Sequence, residues 1–408
     1  MKNRPYEELP VATTALQGQH SSFAEDYATV VRWCLENCRV GAWSARFRRE
    51  LPPEPFGLAP REGIEAAGPN ERLAHAMEMV EERKDEFSRV YDLMPDDESK
   101  DMLLTVLAYR GLGWRFVKLP LDTPEFHKTI SDLQADAAAA SDDKKLATSD
   151  GFAVLSTISL QKYGFDADVL QGGWGAFSEF LYSQYVYRSE HGILAPCDGD
   201  VAFDCGACWG GTSLFFADRV GDAGKVISFE FVPANLEAFN VNLAQNSRLA
   251  KRISLVKAPV WSNDKVTMTA FGNGPATYMA IFNKKVRIRN KIKGLFKAEY
   301  RDPERVGNFS VDATTIDKQS NRQTNGQADF LKMDVEGAEL RALQGAEVTI
   351  RRCKPTLAIC VYHHLKDFLE IPLWIDALGL GYRFYLGHGT THGEETVLFA
   401  TTRELQAG

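Results

Sequence analysis

Apolar residues in the first third of the chain recur every three to four positions, which is the spacing of amphipathic helices. This pattern covers residues 23–38 and 72–95, where acids and bases fill the positions between the apolar ones. A third helical run starts near Ser99, a typical N-cap residue, and stops at a glycine. Residues 52–60, rich in proline, and 134–143, rich in Ala, Asp and Ser, predict loops or linkers. The N-terminal region is therefore expected to be mainly helical.

From Val201 onward, short apolar runs alternate with helical stretches at the spacing of β-α units. Seven strands are predicted, near residues 201–205, 225–231, 253–260, 328–334, 355–361, 382–386 and 396–402. Helices are predicted near residues 211–220, 234–245, 337–350 and 365–379. The last two strands are joined by a loop too short for a crossover helix, so they should be antiparallel neighbours. The pattern predicts an α/β fold with a doubly wound, mostly parallel, seven-stranded, Rossmann-like sheet.

The most informative motif lies where the first of these strands ends. The strand closes on the acid Asp204, and a turn containing Gly206 and Gly210 leads straight into a helix at Thr212. Glycine lets a ligand come close to the backbone, and a helix N-terminus offers N–H groups that have no partner within the helix. A strand, a glycine turn and a helix start in this order are typical of a nucleotide-type ligand site.

A second acid, Glu230, ends the next predicted strand and follows Gly206 by 24 positions. In nucleotide-binding β-α-β units, an acid about 20 residues after the glycine turn holds the ribose hydroxyls. A dinucleotide site would also carry a second glycine two positions after Gly206, where this chain has Cys208. A ligand with a ribose but no diphosphate therefore fits better than NAD, and S-adenosylmethionine is such a ligand.

A third motif, Ala328–Leu340, has the pattern of a strand, a charged turn and a helix start around Lys-Met-Asp-Val-Glu-Gly-Ala-Glu. Together with the glycine turn and residues 229–235, it resembles the FkbM family of S-adenosylmethionine-dependent methyltransferases. Residues 311–317 and 394–400 are similar to that family as well, and the resemblance covers about half of the chain. It implies a class I methyltransferase-like fold whose sheet ends in a hairpin. Cys208 departs from the family's pattern, in which a small polar residue such as Asn is common at this position.

The resemblance and the composition divide the chain into three parts. We expect an N-terminal, mainly helical extension or cap at residues 1–160, an aromatic connecting segment at 161–196 and the S-adenosylmethionine-binding domain at 197–408. The connecting segment contains many aromatic residues, among them Trp174 and Phe180. Aromatic faces attract cations and the methyl donor is a sulfonium cation, so these rings could line the donor pocket. Packing between domains is the alternative.

The residues expected to bind the donor follow the carboxyl ends of the strands, where ligands of open α/β sheets bind. They are Asp204, Gly206, Ala207, Cys208, Gly210, Thr212, Glu230, Phe231, Pro259, Asp334 and Glu336. Lys332 stands within an apolar strand, and lysine is rarely buried unpaired. We expect it to pair with Asp334, Glu336 or Glu339.

Methyl transfer requires the donor and the acceptor to be in line, and this alignment can lower the activation free energy by about 7–11 kcal/mol. A hydroxyl acceptor also loses a proton, commonly to a histidine or a carboxylate. His363 and His364 follow a predicted strand and are candidates for this general base, with a purely structural role as the alternative. Asp334 is the third catalytic candidate, because it could position the acceptor or ligate a divalent cation. Whether the reaction needs a metal stays open.

Three other features have ordinary and functional interpretations. Cys205 and Cys208 could be a redox pair or half of a zinc site, but no second pair stands at zinc-ribbon spacing and the glycine turn already explains the segment. The basic run at 284–294 is expected to be a solvated loop, or else a surface for an anionic substrate. His388 and His392, in the last predicted loop, are either exposed or near the acceptor.

Composition is that of an ordinary globular protein: 408 residues, of which 44% are hydrophobic and 25% charged. The net charge of −8 does not favour a nucleic-acid partner. No apolar run approaches the length of a membrane span, and the N-terminus lacks the apolar core of a secretory signal. The seven cysteines are interpreted as reduced thiols. We therefore expect a cytoplasmic protein without membrane insertion, and leave a homo-oligomer open.

These observations favour an S-adenosylmethionine-dependent methyltransferase that modifies a hydroxyl oxygen of a sugar, a glycan or a small metabolite. The donor is argued from residues, whereas the acceptor follows from family analogy alone. One alternative is an NAD-dependent oxidoreductase, against which the missing second glycine and the terminal hairpin count. The other is a non-catalytic donor-binding protein, against which the intact Asp204, Glu230 and Asp334 count.

Overall fold

The fold is that of a computed structural model, which describes residues 12–16, 18–37, 63–272, 274–280 and 309–407. The proline-rich stretch and the basic run at 284–294 lie outside the described residues. The chain forms two compact units. The first unit contains residues 1–132, 182–195 and 356–408, and the second contains residues 133–181 and 196–355.

The N-terminal region is mainly helical, as predicted. Its helices are α1 (Phe23–Asn37), α2 (Pro69–Glu81), α3 (Lys84–Asp92), α4 (Asp97–Leu112) and α5 (Pro124–Ala139). Aromatic rings fill the space between the first of these helices, where Phe23 stacks on Tyr27 and Phe87 with centroids 5.6 and 5.2 Å apart. All three rings are buried, so the apolar face of α1 packs into the core of the first unit.

Two helix predictions in this region need correction. The single helix expected over 72–95 is two helices, because Arg83 leaves helical geometry (φ −122°, ψ 26°) and its guanidinium binds Glu86 in the first turn of α3. Helix α4 begins before Ser99, since the side chain of Asp96 is its N-cap and accepts a hydrogen bond from the Ser99 N–H at 3.0 Å.

The loop expected at 134–143 is wrong over most of its length, because α5 continues to Ala139. Alanine has the highest intrinsic helix propensity, and the run of alanines here extends the helix in spite of the neighbouring Asp residues. The chain leaves the helix only at Ala140, so composition alone misplaced this boundary.

The rest of the first unit is built from strands β4 (Tyr187–Ser189), β5 (Gly192–Leu194), β13 (Thr356–Cys360), β14 (Arg383–His388) and β15 (Thr396–Thr401), with helix α13 (Asp367–Ala377). Strand β15 pairs antiparallel with both β13 and β14. The antiparallel terminal hairpin is therefore confirmed, with Arg383 opposite Thr401 and His388 opposite Thr396.

The second unit contains two small antiparallel sheets and the glycine-turn region. Its strands are β1 (Lys145–Ala147), β2 (Val154–Ser159), β3 (Asp168–Gln171), β6 (Val201–Cys205), β7 (Lys225–Phe229), β8 (Ile253–Val256), β9 (Thr267–Phe271), β10 (Tyr278–Ala280), β11 (Ser310–Asp312) and β12 (Phe330–Met333). Its helices are α6 (Gly173–Ala176), α7 (Gly211–Arg219), α8 (Pro233–Gln245), α9 (Ser247–Ala250), α10 (Ile316–Thr324), α11 (Glu339–Gln344) and α12 (Glu347–Cys353). A π-helical turn, Phe177–Leu181, follows α6.

The largest sheet has seven strands in the order β14-β15-β13-β12-β6-β7-β8, which confirms the mostly parallel α/β fold. Within the second unit, β12, β6, β7 and β8 run parallel, with Lys332 opposite Asp204 and Asp204 opposite Ser228. Every residue of β6 and β12 is buried, as expected for parallel strands covered on both faces. The carboxyl ends of β12, β6 and β7 therefore lie at one edge of the sheet.

Two other boundaries differ from the predictions. The strand expected over 225–231 ends at Phe229, because the N–H groups of Phe231 and Val232 bond to the side chain of Glu230 and not to the neighbouring strand. The helix expected over 337–350 is split near Gly345, where an added Cβ would stand 2.0 Å from the carbonyl oxygen of Trp261. None of the described helices is long and apolar enough to cross a membrane.

Candidate active site

A buried ion pair closes the end of β6. Asp204 has no solvent exposure, and its Oδ1 lies 3.1 Å from the Nζ of Lys332, which is itself 2% exposed. Its Oδ2 accepts a hydrogen bond of 2.6 Å from the hydroxyl of Ser213 in the first turn of α7. Lys332 also donates to the carbonyls of Gly206 (2.7 Å) and Cys205 (3.3 Å). Asp204 and Lys332 thus fix the glycine turn to the ends of two strands.

Lys332 pairs with Asp204, an acid that the sequence analysis did not name as its partner. The parallel register of β12 and β6 places the two residues opposite each other, which is not visible from the local sequence. This buried lysine is paired, but the pair at this strand end is with Asp204 on the neighbouring strand and not with the predicted Asp334, Glu336 or Glu339.

The glycines of the turn are required by close backbone approach. Gly206 has φ +84°, and a Cβ there would stand 1.8 Å from the carbonyl oxygen of Asp334. Gly210 has φ +88°, and a Cβ there would stand 2.8 Å from the ring of Phe239. Since L side chains rarely adopt such φ values, both positions favour glycine on two independent grounds. The turn, called the glycine cradle below, is therefore a closely packed stretch of backbone at the start of α7.

Glu230 is buried and organises the start of α8. Its Oε1 accepts hydrogen bonds from the N–H groups of Phe231 (2.6 Å) and Val232 (2.7 Å), and its Oε2 accepts one from Asn235 (3.1 Å). The backbone of Cys208 also donates to this carboxylate, which links it to the glycine turn. Burial raises the pKa of Glu230 to about 7, although the hydrogen bonds oppose the shift.

Glu339, which is not among the predicted donor-binding residues, holds the turn after β12. Asp334 is half-buried, and its N–H bonds to the carbonyl of Cys205 at 3.0 Å. Glu339, 1% exposed, accepts a hydrogen bond from the N–H of Val335 at 2.8 Å. Glu336 is exposed and has φ +56°, a conformation that is uncommon for residues with a side chain. Strain of this kind often marks functional turns.

The remaining predicted donor-binding residues lie around these elements. Ala207 is buried within the turn, and Thr212 is buried in the first turn of α7. Phe231 is half-buried directly after Glu230. Pro259 is buried beyond the end of β8, where its carbonyl accepts the N–H of Thr314 at 2.9 Å.

The Cys-x-x-Cys segment contains two free thiols. Burial raises the pKa of both Cys205 and Cys208 well above the ordinary value, so neither thiol is activated as a thiolate. Cys208 has φ +49°, in the left-handed region where Asn is better tolerated than most residues. The segment acts as part of the turn, and this geometry gives no support to a redox pair.

A carboxyl group that the sequence analysis missed lies against the glycine turn. Glu179, in the π-helical turn, places its Oε2 1.7 Å from where a Cβ on Gly211 would stand. The side-chain oxygen of Gln171, at the end of β3, lies 2.9 Å from the same point. The sequence gives little signal for it, because the same aromatic and glycine-rich segment also contains Asp166, Asp168 and Glu190.

The aromatic rings of this stretch pack among themselves. Phe180 meets Phe165 and Phe215 edge-on, with centroids 5.4 and 6.0 Å apart. All three rings lie within the second unit, and their contacts hold the π-helical turn beside α7.

The catalytic histidine candidates lie in the first unit, after β13. His363 is half-buried and its ring stacks on Tyr362 with centroids 4.1 Å apart. His364 is exposed, and its N–H bonds to Asp367 at 2.9 Å. The loop histidines His388 and His392 are both buried, so their expected exposure is wrong. Burial lowers the pKa of His388 to about 3, which keeps it neutral.

Comparison with known proteins identifies a family domain within the chain. Residues 204–384 match the family model described as the methyltransferase FkbM domain. A search of curated proteins finds no match. Solved structures that match this chain include the methyltransferase FkbM of Methylobacillus flagellatus KT, at 18% identity and a TM-score of 0.46 over 81% of this chain and 61% of that one.

Two other structures have lower scores. Fibrillarin of Aeropyrum pernix, in complex with natively bound S-adenosyl-L-methionine, is 11% identical over 63% of this chain and 93% of its own, with a TM-score of 0.33. A SAM-dependent methyltransferase of Aquifex aeolicus is 11% identical over 59% of this chain and 95% of its own, with a TM-score of 0.30. The chain spans about 61% of the length of the Methylobacillus protein. The family match covers residues 204–384, and it identifies this part of the chain as a methyltransferase FkbM domain.

Proposed function

We propose that this protein transfers a methyl group from S-adenosylmethionine to a hydroxyl oxygen of a sugar, a glycan or a small metabolite. The observation that carries the donor half is the glycine cradle beside a buried acid. An added Cβ at Gly206 would overlap the carbonyl of Asp334, and Glu230 lies at the end of the next strand. This arrangement suits a ribose-bearing ligand close to the backbone, and Cys208 takes the place of the second glycine of a diphosphate site.

The residues of the cradle have distinct proposed roles. Glu230 would accept hydrogen bonds from the ribose hydroxyls, which would share or replace some of the four donors that its carboxylate binds in the free protein. Asp204 has both oxygens engaged by Ser213 and Lys332, so we assign it the role of positioning the turn. Phe231 and Pro259 would contribute apolar surface to the donor. When bound, S-adenosylmethionine supplies a methyl carbon attached to a good leaving group.

The acceptor side rests on His363 and His364. Either imidazole could take the proton of a hydroxyl acceptor, because an unperturbed histidine titrates near neutrality. His363 is the stronger candidate, since it is half-buried and its ring is oriented by the stack on Tyr362. We propose that Asp334, at the turn after β12, helps to position the donor or the acceptor. Replacing each histidine with Gln in turn should lower kcat in one variant more than KM changes, whereas normal turnover in both would exclude them.

The donor is tested by calorimetric titration of the full chain with S-adenosylhomocysteine and with NAD. We expect the first to bind and the second not to. Glu230→Gln should weaken S-adenosylhomocysteine by roughly tenfold, the loss of one charge-assisted hydrogen bond. Glu237→Gln, an exposed acid on α8, is the matched control and should bind normally. Tight NAD binding with no S-adenosylhomocysteine binding would favour the oxidoreductase instead.

The reaction is tested by transfer of a labelled methyl group to a panel of sugars, glycans and hydroxylated metabolites, with amine acceptors alongside. Labelled product from a hydroxyl acceptor supports O-methylation, and product from amines alone would contradict it. Donor binding without any product would favour a non-catalytic donor-binding protein. Running the assay with and without a chelator determines whether a divalent metal takes part. Gel filtration with light scattering tests for a homo-oligomer.

A cytoplasmic location and a small-molecule or glycan partner remain part of the proposal. The net charge of −8 argues against a general nucleic-acid partner, because it would repel a phosphate backbone. Fractionation of cells that express the full chain tests the location directly.

A further inference from the structure

The π-helical turn Phe177–Leu181 places a carboxyl group at the N-terminus of α7. Short π-helical segments are rare and frequently mark functional sites. Here the turn directs Glu179 to Gly211, where only the absence of a side chain leaves room for the carboxylate. The Oε2 atom of Glu179 is buried and completes no hydrogen bond within the part of the chain that the structure describes.

A second polar group points to the same place. Gln171 is 1% exposed, and its Oε1 lies 2.9 Å from the point that a Cβ of Gly211 would occupy. Two side-chain oxygens, Oε2 of Glu179 and Oε1 of Gln171, therefore lie close together beside the start of α7. Oxygens of this kind accept hydrogen bonds, so the pair indicates a place for a ligand group that donates them.

The charges around Glu179 make it neutral in the free protein. Burial is the main effect, and the negative charge of Asp204 adds to it, while Lys332 and the side chains of Gln171 and Thr212 oppose it. Together they raise the pKa of Glu179 to about 8. The positive charge of Lys332 offsets this rise in pKa only in part, because the ammonium group is already paired with Asp204.

We propose that the carboxylate of Glu179 and the Oε1 atom of Gln171 accept hydrogen bonds from the α-ammonium group of the donor's amino-acid part, and that Glu179 gives up its proton to solvent when the donor binds. This rests on the proposed function, since it assigns one part of the same donor. The amino-acid part is a zwitterion with two requirements. The N–H groups at the start of α7 suit its carboxylate, whereas an ammonium needs an acceptor, which the helix N-terminus lacks. Glu179 supplies that acceptor, and a deprotonated carboxylate is compensated by the incoming cation.

The test compares two ligands that differ in the group in question. S-adenosylhomocysteine carries the ammonium, and 5′-methylthioadenosine keeps the adenosine and the sulfur but has no amino-acid part. Glu179→Gln should weaken S-adenosylhomocysteine by roughly tenfold at pH 8 and leave methylthioadenosine unchanged. The control Glu237→Gln, with the same change of charge at an exposed site, should alter neither. Equal weakening of both ligands by Glu179→Gln would indicate a structural role and overturn the proposal.

Proton release gives a second readout on the folded wild-type protein. Calorimetry at pH 7 in two buffers of different ionisation enthalpy should show nearly one more proton released with S-adenosylhomocysteine than with methylthioadenosine. The comparison matters because Glu230 also has a raised pKa and meets both ligands through the ribose, so its contribution cancels. Cys208 faces the same space, but burial keeps its thiol protonated in both cases.

The outcomes separate this inference from the proposed function. If wild-type protein binds neither ligand, the donor assignment itself fails. If it binds both, and Glu179→Gln keeps full affinity for S-adenosylhomocysteine with the same proton release, the donor assignment stands and Glu179 is not the ammonium acceptor. A tenfold loss confined to S-adenosylhomocysteine, together with loss of the extra proton, supports the inference.

Discussion

Replacing Lys332 by methionine tests the central electrostatic feature of the fold. Methionine keeps the length of the side chain and removes the ammonium group. The change leaves Asp204 buried beside Ser213 without its positive partner. It also removes the donor that binds the carbonyls of Gly206 and Cys205. We expect a large loss of stability, because both residues of the pair are almost fully buried.

The magnitude follows from the burial of the pair. Breaking a buried ion pair by removing one partner costs about 3–5 kcal/mol, because an uncompensated charge stays in the interior. Asp204→Asn alone should cost a similar amount by leaving Lys332 unpaired. The double variant carries no buried charge at this point, so its cost should be smaller than the sum by roughly 2 kcal/mol.

The assay is urea unfolding of the four proteins, followed by hydrogen exchange of the peptide that spans the glycine turn. Lys332→Met should lower the unfolding midpoint and speed exchange at Gly206 and Ala207, whose N–H groups bond to the Phe229 carbonyl. Lys225→Met, which removes a half-buried lysine bound to a single carbonyl of α10, is the matched control and should cost far less. A loss below about 1 kcal/mol for Lys332→Met, or full additivity in the double variant, would refute the reasoning.

Three further predictions concern the same site. Gly206→Ala should abolish S-adenosylhomocysteine binding in a titration, because its Cβ would stand 1.8 Å from the Asp334 carbonyl; normal affinity would contradict the cradle. Stability should fall as pH rises from about 5 to about 8, since the pKa values of Glu230 (to about 7) and Glu179 (to about 8) are raised from 4.5 and the folded state binds more protons in that range. The free energy of unfolding, measured in urea, should fall by roughly 1 kcal/mol per pH unit for each titrating group, and its slope against pH should be smaller in Glu179→Gln. Equal slopes in the two proteins would argue against the raised pKa of Glu179. Cys208→Gly should raise the free energy of unfolding by about 1 kcal/mol, because glycine adopts the left-handed backbone without strain. A less stable variant would show that packing of the thiol matters more.

The sequence predicted correctly those elements whose ends are determined by neighbouring residues along the chain. The strand at 201–205 is observed with the same bounds, because an apolar run between a polar stretch and a glycine turn has few alternatives. Glu230 and the terminal hairpin were found for the same reason: strand ends and loop lengths can be read along the chain. The predicted ends of elements were wrong where contacts between distant residues matter. One example is Gly345, which lies close to the carbonyl of Trp261 where the predicted helix is split.

The contacts that complete the candidate site come from residues far apart in the sequence. Lys332 meets Asp204 only because β12 lies parallel to β6 in one register, and a one-residue shift would turn the lysine to the other face. Glu179 reaches Gly211 through a π-helical turn whose position is set by the packing of Phe180 and Phe215. No spacing rule links either pair, so local patterns predicted the glycine turn but could not identify Asp204 as the partner of Lys332 or Glu179 as the neighbour of Gly211.

The two buried acids have an energetic consequence that connects stability to donor recognition. A carboxyl group whose pKa is raised by burial destabilises the folded protein at neutral pH, and mutation could remove that cost by placing an amide at either position. An amide, however, could neither take the charge of an ammonium group nor accept two ribose hydroxyls. The cost is therefore located where a cationic, ribose-bearing ligand would offset it. A site of this kind is most unstable when empty, and ligand binding both fills its incomplete hydrogen bonds and compensates its charge.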